Sequence, residues 1–217
     1  MKQEIVRKAC KLYAITDRRW LTHMSENDEL AAQVEQAIQG GITMLQLREK
    51  ALSGETLKKE AIVIQQLCKR YNIPFIINDY VELAKELQAD GVHIGQSDCS
   101  VKRAREILGP DYIIGATAKT VEQAQLAYEQ GADYLGSGAV FGTTTKPDAK
   151  PMTQELLHQI TQSVPIPVVA IGGIQTQNVT KLSGSGIAGV AVIGGIFGEK
   201  DIKKAASELR QKLDRMK

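Results

Sequence analysis

Eight short apolar segments alternate with eight amphipathic segments along the chain, and this alternation limits the possible folds more than any other feature. The apolar segments have β character and span residues 11–16, 43–47, 74–78, 91–94, 112–115, 134–137, 167–171 and 189–193. The segments with helical periodicity span residues 30–39, 56–71, 81–88, 101–108, 121–130, 153–162, 178–183 and 201–216. Such strict alternation is typical of parallel β/α units, and eight units predict closure into an α/β fold, the (β/α)₈ TIM barrel.

A doubly wound open sheet is the alternative fold for this alternation. That fold usually carries a G-x-G-x-x-G motif after its first strand, whereas this chain has Ile15-Thr16-Asp17-Arg18 there. The chain has 217 residues, of which 43% are hydrophobic, so it can bury one sizeable core but is short for two full domains. The sequence therefore predicts a single barrel domain over residues 1–217.

Charge and cysteine content exclude several classes of protein. The 27 basic and 25 acidic residues are evenly spread and give a net charge of +2, which predicts no nucleic-acid partner but suits small anionic ligands. Three cysteines without C-x-x-C spacing favour neither a disulfide framework nor a zinc site, and they indicate a reducing cytoplasm. No apolar run is long enough for a signal peptide or a membrane span, so we expect a soluble, cytoplasmic protein; a homo-oligomer is possible.

Polar residues follow the second predicted strand, at the barrel end where active sites of this fold lie. The sequence there is Gln46-Leu47-Arg48-Glu49-Lys50. Period-2 alternation turns Gln46 and Arg48 toward the mouth of the barrel and Leu47 away from it. Glu49 by itself is best interpreted as part of a solvated strand end.

Two carboxylates follow the third and fourth strands. Asp79 comes after Asn78, and Asp98 ends the run His93-Ile94-Gly95-Gln96-Ser97-Asp98. Each aspartate is also a candidate helix cap, with Ser100 as a competing cap near Asp98. Mg²⁺ prefers one or two carboxylates together with waters and phosphate oxygens, so a shared Mg²⁺ site is the sharper hypothesis. His93 either contacts a ligand or closes the barrel, and the sequence leaves both roles open.

The later strands are followed by groups suited to phosphate. Glycine pairs at Gly172-Gly173 and Gly194-Gly195 follow strands seven and eight, where this fold often binds a phosphate monoester. A loop after strand six carries Thr143, Thr144, Thr145 and Lys146, whose hydroxyls and ammonium suit phosphate, and it is long enough to act as a lid. A second, cationic patch would consist of Arg48, Lys50, Asn78, Asp79, Asp98 and Lys146. Two anion sites on one rim suggest two phosphorylated substrates, and the cationic patch suits a diphosphate leaving group.

In their order and combination, these motifs resemble the thiamine phosphate synthase family. The resemblance spans nearly the whole chain and implies a (β/α)₈ barrel transferase of thiamine biosynthesis. Such an enzyme joins 4-amino-2-methyl-5-hydroxymethylpyrimidine diphosphate to hydroxyethylthiazole phosphate and releases diphosphate. The family's dissociative mechanism needs no general base, which agrees with the lack of a nucleophile–histidine–acid motif in the sequence.

The resemblance also implies roles for individual residues. Those implied for the pyrimidine diphosphate are Gln46, Leu47, Arg48, Glu49, Lys50, Asn78, Thr117 and Lys146, of which Arg48, Lys50, Thr117 and Lys146 would be catalytic. Those implied for the thiazole phosphate are Thr143, Thr144, Thr145, Gly172, Gly173, Ile193 and Gly194. Asp79 and Asp98 would bind Mg²⁺.

The chain departs from the family pattern at four positions. Thr117 and Gly194 stand where serine is usual, Tyr80 where arginine is common, and Lys119 where histidine is common. The related thiazole tautomerases are thought to use a histidine in the region of Lys119, so Lys119 favours the synthase over that alternative. A sugar-phosphate isomerase and a non-catalytic phosphate-ligand sensor are further alternatives, but an isomerase would leave the two aspartates and Lys146 without a role.

Overall fold

The computed structural model describes residues 2–21, 26–142 and 151–216. Eight parallel strands form a closed barrel in chain order, with β8 paired to β1. The strands are β1 Leu12–Ile15, β2 Met44–Leu47, β3 Phe75–Asn78, β4 Gly91–Ile94, β5 Ile113–Thr117, β6 Tyr134–Gly138, β7 Val168–Ile171 and β8 Gly189–Val192. The predicted (β/α)₈ barrel is confirmed, because an open doubly wound sheet has no pairing between its first and last strands.

Helices follow most of the strands and cover the outside of the barrel, whereas the first helix precedes β1. Within the described residues they are α1 Lys2–Ala9, α2 Glu26–Gln39, α3 Gly54–Arg70, α4 Val81–Glu86, α5 Val101–Leu108, α6 Val121–Glu129, α7 Gln154–Ser163, α8 Gly194–Phe197 and α9 Ile202–Arg215, with 3₁₀ turns at Arg18–Trp20 and Val179–Leu182. The prediction of an α-helix at 178–183 is therefore wrong, because a 3₁₀ turn stands there. The Asn178 side chain bonds the Gln175 amide and the Gly173 carbonyl, which favours a compact turn that ends before Gly184.

Period-2 alternation along the strands separates the core into two layers. Outward-facing residues such as Leu45 and Leu47 pack against the helices, and inward-facing residues such as Met44 and Tyr13 fill the barrel. Cys10 and Cys68 are both buried, and burial raises the pKa of each thiol to about 12, so both behave as small apolar side chains. No helix in the described parts of the chain combines the length and apolarity needed to span a bilayer.

Helix α1, which was not predicted from the sequence, covers the amino-terminal end of the barrel. Its Val6 and Ala9 are buried in the same cluster as the inward-facing strand residues. The Lys2 ammonium holds the helix in place, because it donates to the carbonyls of Pro110 and Tyr112 at 2.7 and 2.8 Å and pairs with Asp133 at 3.0 Å. The interior of the barrel is therefore closed at its amino-terminal end.

We expect Val6→Ala to lower the free energy of unfolding by about 2 kcal/mol, because it deletes fully buried methyl groups and leaves a void under the barrel. Ile5→Ala is the matched control on the same helix, since Ile5 is 56% exposed and should change stability by less than about 0.5 kcal/mol. Urea unfolding of both variants measures the difference. Equal effects would show that α1 does not close the barrel.

Candidate active site

A cavity of about 540 Å³ opens at the carboxyl ends of the strands. The structure brings most of the residues selected from the sequence together around it. Those that line it are Gln46, Arg48, Lys50, Asn78, Asp79, Asp98, Thr117, Gly172, Gly173, Ile193 and Gly194. The predicted contacts of Thr143, Thr144, Thr145 and Lys146 lie outside the described residues.

Strand β2 supplies one wall of the cavity. Gln46 points inward and donates through Nε2 to the Tyr13 hydroxyl at 2.6 Å. The Arg48 guanidinium lies 3.5 Å from the Asp17 carboxylate, and its side chain is 16% exposed. Burial raises the pKa of Asp17, but the guanidinium groups of Arg19 and Arg48 outweigh that effect and hold this pKa below its ordinary value. Asp17 therefore remains ionised and fixes the orientation of Arg48.

Two members of the predicted pyrimidine-diphosphate set do not reach the cavity with their side chains. Leu47 is 2% exposed and packs in the outer layer beneath the helices. Glu49 is 4% exposed, so its interpretation as a solvated strand end is wrong. Its carboxylate accepts from Arg18 Nε and from the Ala51 amide, both at 2.6 Å. Burial raises the pKa of Glu49, and these donors more than offset it, so that the pKa is lowered overall.

The carboxylates of Asp79 and Asp98 approach each other on adjacent loops. Neither caps a helix: Tyr80 precedes α4 as its cap residue, and Ser100 Oγ accepts the Arg103 amide at the start of α5. Asp79 pairs instead with the Lys50 ammonium, and Asp98 accepts the Gly95 amide at 2.7 Å. Burial raises the pKa of Asp98, and the neighbouring Asp79 carboxylate raises it further.

This acidic pair suits a divalent cation. Two carboxylates held close together repel each other, and a cation between them removes that cost. Within the described residues, no group of three or more histidine, cysteine, aspartate or glutamate side chains is placed to hold a metal ion. Mg²⁺ needs no such cage, since one or two carboxylates with waters and phosphate oxygens complete its octahedral shell. The donor set therefore fits Mg²⁺ better than zinc.

Glycines form the opposite wall of the cavity. Gly172 and Gly173 follow β7 with φ values of +105° and +63°, which side-chain-bearing residues rarely adopt. Gly194 and Gly195 begin α8, where the first amides of a helix have no intrahelical acceptor. Backbone amides on this wall can approach an anion closely because no Cβ shields them.

Several residues that the sequence analysis did not select also line the cavity, among them Tyr13, Trp20 and Gln96. The inward orientation of Tyr13 could have been predicted from period-2 alternation along β1, which places Tyr13 and Ile15 on the same face of the strand. Trp20, the one tryptophan of the chain, lies against the glycine wall, and a Cβ on Gly194 would come within 3.2 Å of its ring. A side chain at position 194 would therefore require the Trp20 ring to shift by a few tenths of an ångström, which gives a physical reason for glycine at this departure from the family pattern.

A closed parallel barrel with a cavity at the carboxyl ends of its strands, lined by charged and polar residues as well as apolar ones, defines the class of (β/α)₈-barrel enzymes. Residues 12–196 match the family described as thiamine monophosphate synthase, and the chain belongs to this family. The resemblance predicted from the motifs is thus confirmed.

Individual relatives are similar over nearly their whole length. The thiamine-phosphate synthase of Fusobacterium nucleatum subsp. nucleatum is 45% identical over 202 residues, which cover 93% of this chain and 96% of that protein. The thiamine-phosphate synthase of Clostridium tetani is 46% identical over 200 residues, covering 92% and 94%. The solved thiamine phosphate pyrophosphorylase from Pyrococcus furiosus superposes with a TM-score of 0.87 at 38% identity, covering 96% of this chain and 98% of that one.

Proposed function

We propose that the chain is a transferase that joins 4-amino-2-methyl-5-hydroxymethylpyrimidine diphosphate to hydroxyethylthiazole phosphate, giving thiamine phosphate and diphosphate. One observation carries the proposal: a single cavity combines a cationic and acidic patch on one wall with a glycine wall on the other. The charged patch has the chemistry to bind a diphosphate, and the glycine wall has the chemistry to bind a phosphate monoester. The whole chain acts as one catalytic domain in this proposal.

The pyrimidine diphosphate binds along the wall formed by β2 to β5. Arg48 and Lys50, with Lys146 from the loop after β6, neutralise the diphosphate as it departs. Gln46, Asn78 and Thr117 hold the pyrimidine ring. Leu47 and Glu49 act indirectly, since their buried contacts fix the end of β2 that carries Arg48.

Asp79 and Asp98 would hold Mg²⁺ beside this diphosphate. When bound, the cation supplies positive charge that stabilises the leaving diphosphate. Lys50 already contacts Asp79 and orients that carboxylate.

The thiazole phosphate binds at the glycine wall through Gly172, Gly173, Ile193 and Gly194, with the hydroxyls of Thr143, Thr144 and Thr145. The C–O bond between the pyrimidinylmethyl carbon and the diphosphate breaks, and the diphosphate leaves with the electron pair. The thiazole nitrogen then donates its lone pair to that carbon and forms the new C–N bond. Because a neutral nitrogen attacks without losing a proton, the reaction requires no general base.

The Mg²⁺ component is tested by Asp98→Asn, which keeps the side-chain shape and removes one charge. We expect the Mg²⁺ concentration for half-maximal diphosphate release to rise at least about tenfold. Asp111→Asn is the control, because Asp111 is exposed in the loop before β5, at the other end of the barrel. An unchanged Mg²⁺ requirement in Asp98→Asn would contradict the proposed metal site.

A further inference from the structure

Five polar side chains form a continuous hydrogen-bonded chain inside the barrel, at the floor of the cavity, and four of them line it. Gln46 Nε2 donates to the Tyr13 hydroxyl at 2.6 Å, and the Tyr13 and Tyr134 hydroxyls lie 2.8 Å apart. The Tyr134 hydroxyl lies 3.1 Å from His93 Nδ1, and His93 Nε2 lies 3.1 Å from Thr117 Oγ1. We call these five residues the relay. It joins Gln46 on β2 to Thr117 on β5, and both of these end residues line the cavity.

The two tyrosines of the relay are specifically accommodated by the strands around them. Both are at most 1% exposed, and their rings pack edge to face with centroids 5.7 Å apart. A Cβ on Gly115 would overlap the Tyr134 ring, and one on Gly136 would come within 3.2 Å of His93 Cε1. Two strands therefore lack side chains where the middle of the relay needs space.

A count of protons gives the relay a direction. Burial raises the pKa of both tyrosines, so each hydroxyl keeps one proton to donate. Tyr13 accepts from Gln46, so it uses its own proton by donating to Tyr134, and Tyr134 then donates to His93 Nδ1. The reverse direction would leave the Tyr13 proton without an acceptor in a buried site, which is unfavourable.

We propose that Tyr13 and Tyr134 are positioning residues that fix the neutral tautomer of His93 with its proton on Nε2, and thereby make the Thr117 hydroxyl a hydrogen-bond donor to the bound aminopyrimidine ring. With Nδ1 as an acceptor, the Nε2 proton points to Thr117 Oγ1. Thr117 accepts it there, and its own proton is directed into the cavity. An unprotonated ring nitrogen of the pyrimidine is a suitable acceptor for that proton.

The same direction sets the other end of the relay. Since Gln46 uses Nε2 to bond Tyr13, it offers its carbonyl oxygen to a ligand. A donor at Thr117 and an acceptor at Gln46 together complement an aminopyrimidine, which carries an amino donor and ring-nitrogen acceptors. The assignment of the ring as ligand rests on the proposed function, whereas the direction of the relay does not.

The first arm of the test is ¹⁵N NMR of the histidine rings in the ligand-free protein at neutral pH. The chain has three histidines, and His93→Gln identifies the resonances of His93. We expect an unprotonated Nδ1 that accepts a hydrogen bond and a protonated Nε2. In Tyr134→Phe the Nδ1 resonance should move toward that of a free, unprotonated ring nitrogen. A proton on Nδ1 in the wild type, or an Nδ1 resonance unaffected by Tyr134→Phe, would overturn the relay.

The second arm is kinetic and separates the relay from a merely structural role. Tyr134→Phe and Thr117→Val should each raise the KM for the pyrimidine diphosphate about tenfold and leave the KM for the thiazole phosphate unchanged. Tyr128→Phe is the control, because Tyr128 is 44% exposed on α6, outside the cavity. Equal changes in both KM values would overturn the positioning role. If the intact protein turned over neither substrate, the proposed function would fail, and the NMR arm would still decide the relay.

Discussion

Arg48→Met is expected to lower kcat for diphosphate release by about 10²- to 10³-fold. The guanidinium lines the cavity, is held by the ionised Asp17, and is mostly shielded from water, so its charge acts at low effective dielectric. Methionine keeps much of the apolar stem and removes the charge. Because negative charge on the diphosphate grows as the C–O bond breaks, the loss should appear in kcat more than in KM.

Arg19→Met is the matched control for Arg48. Arg19 also pairs with Asp17, at 2.6 Å, but its side chain is 53% exposed and does not line the cavity. We expect its kcat to change less than about threefold, as for an exposed ion pair. Equal losses in both variants would mean that Arg48 acts only by holding Asp17, and would contradict a direct contact with the diphosphate.

Gly173→Ala is expected to weaken binding of the thiazole phosphate by about 10²-fold. The residue has a φ of +63°, and a Cβ there would run into the carbonyl oxygens of Gly142 and Phe141. The wall must shift to relieve this overlap, so its amides lose their positions around the phosphate. The single tryptophan, Trp20, lines the same cavity, and its fluorescence titrated with thiazole phosphate measures the affinity directly.

Gly184→Ala separates the backbone strain from the overlap. Gly184 has a similar φ of +77°, but a Cβ there would meet nothing within 4 Å, and the residue lies outside the cavity. This variant should lose some stability and keep the wild-type affinity for thiazole phosphate. Unchanged affinity in Gly173→Ala would show that the glycine wall does not hold the phosphate.

Much of the fold could be predicted from the sequence because apolar residues recur with a different spacing in strands and in helices. The predicted strands agree with the observed ones to within two residues at each end; β4, Gly91–Ile94, agrees at both ends. Helix α1 was missed because its Val6 and Ala9 become a meaningful apolar face only against the closed end of the barrel. Helix α8, Gly194–Phe197, was missed because a glycine pair is a poor helix former by propensity, and its tertiary position overrides that tendency.

Cavity-lining residues could be predicted from the sequence where their position after a strand is enough to place them at the rim of the barrel. Residues in the loops that follow the strands, such as Arg48, Asp79 and Asp98, lie at the rim of a (β/α)₈ barrel. The burial of Glu49 was not predicted because its partner Arg18 lies in the loop after β1, and no local sequence pattern predicts that ion pair. The contact between Tyr13 and Tyr134 could not be predicted from the sequence for the same reason, since 121 positions separate the two residues along the chain.

The most direct test of the central claim is diphosphate release by the purified protein with Mg²⁺, followed with each substrate alone and with both together. We predict release, with matching formation of thiamine phosphate, that requires both the pyrimidine diphosphate and the thiazole phosphate. If neither diphosphate nor thiamine phosphate forms when both substrates bind, the chain is a sensor rather than a transferase, and the proposed function is contradicted.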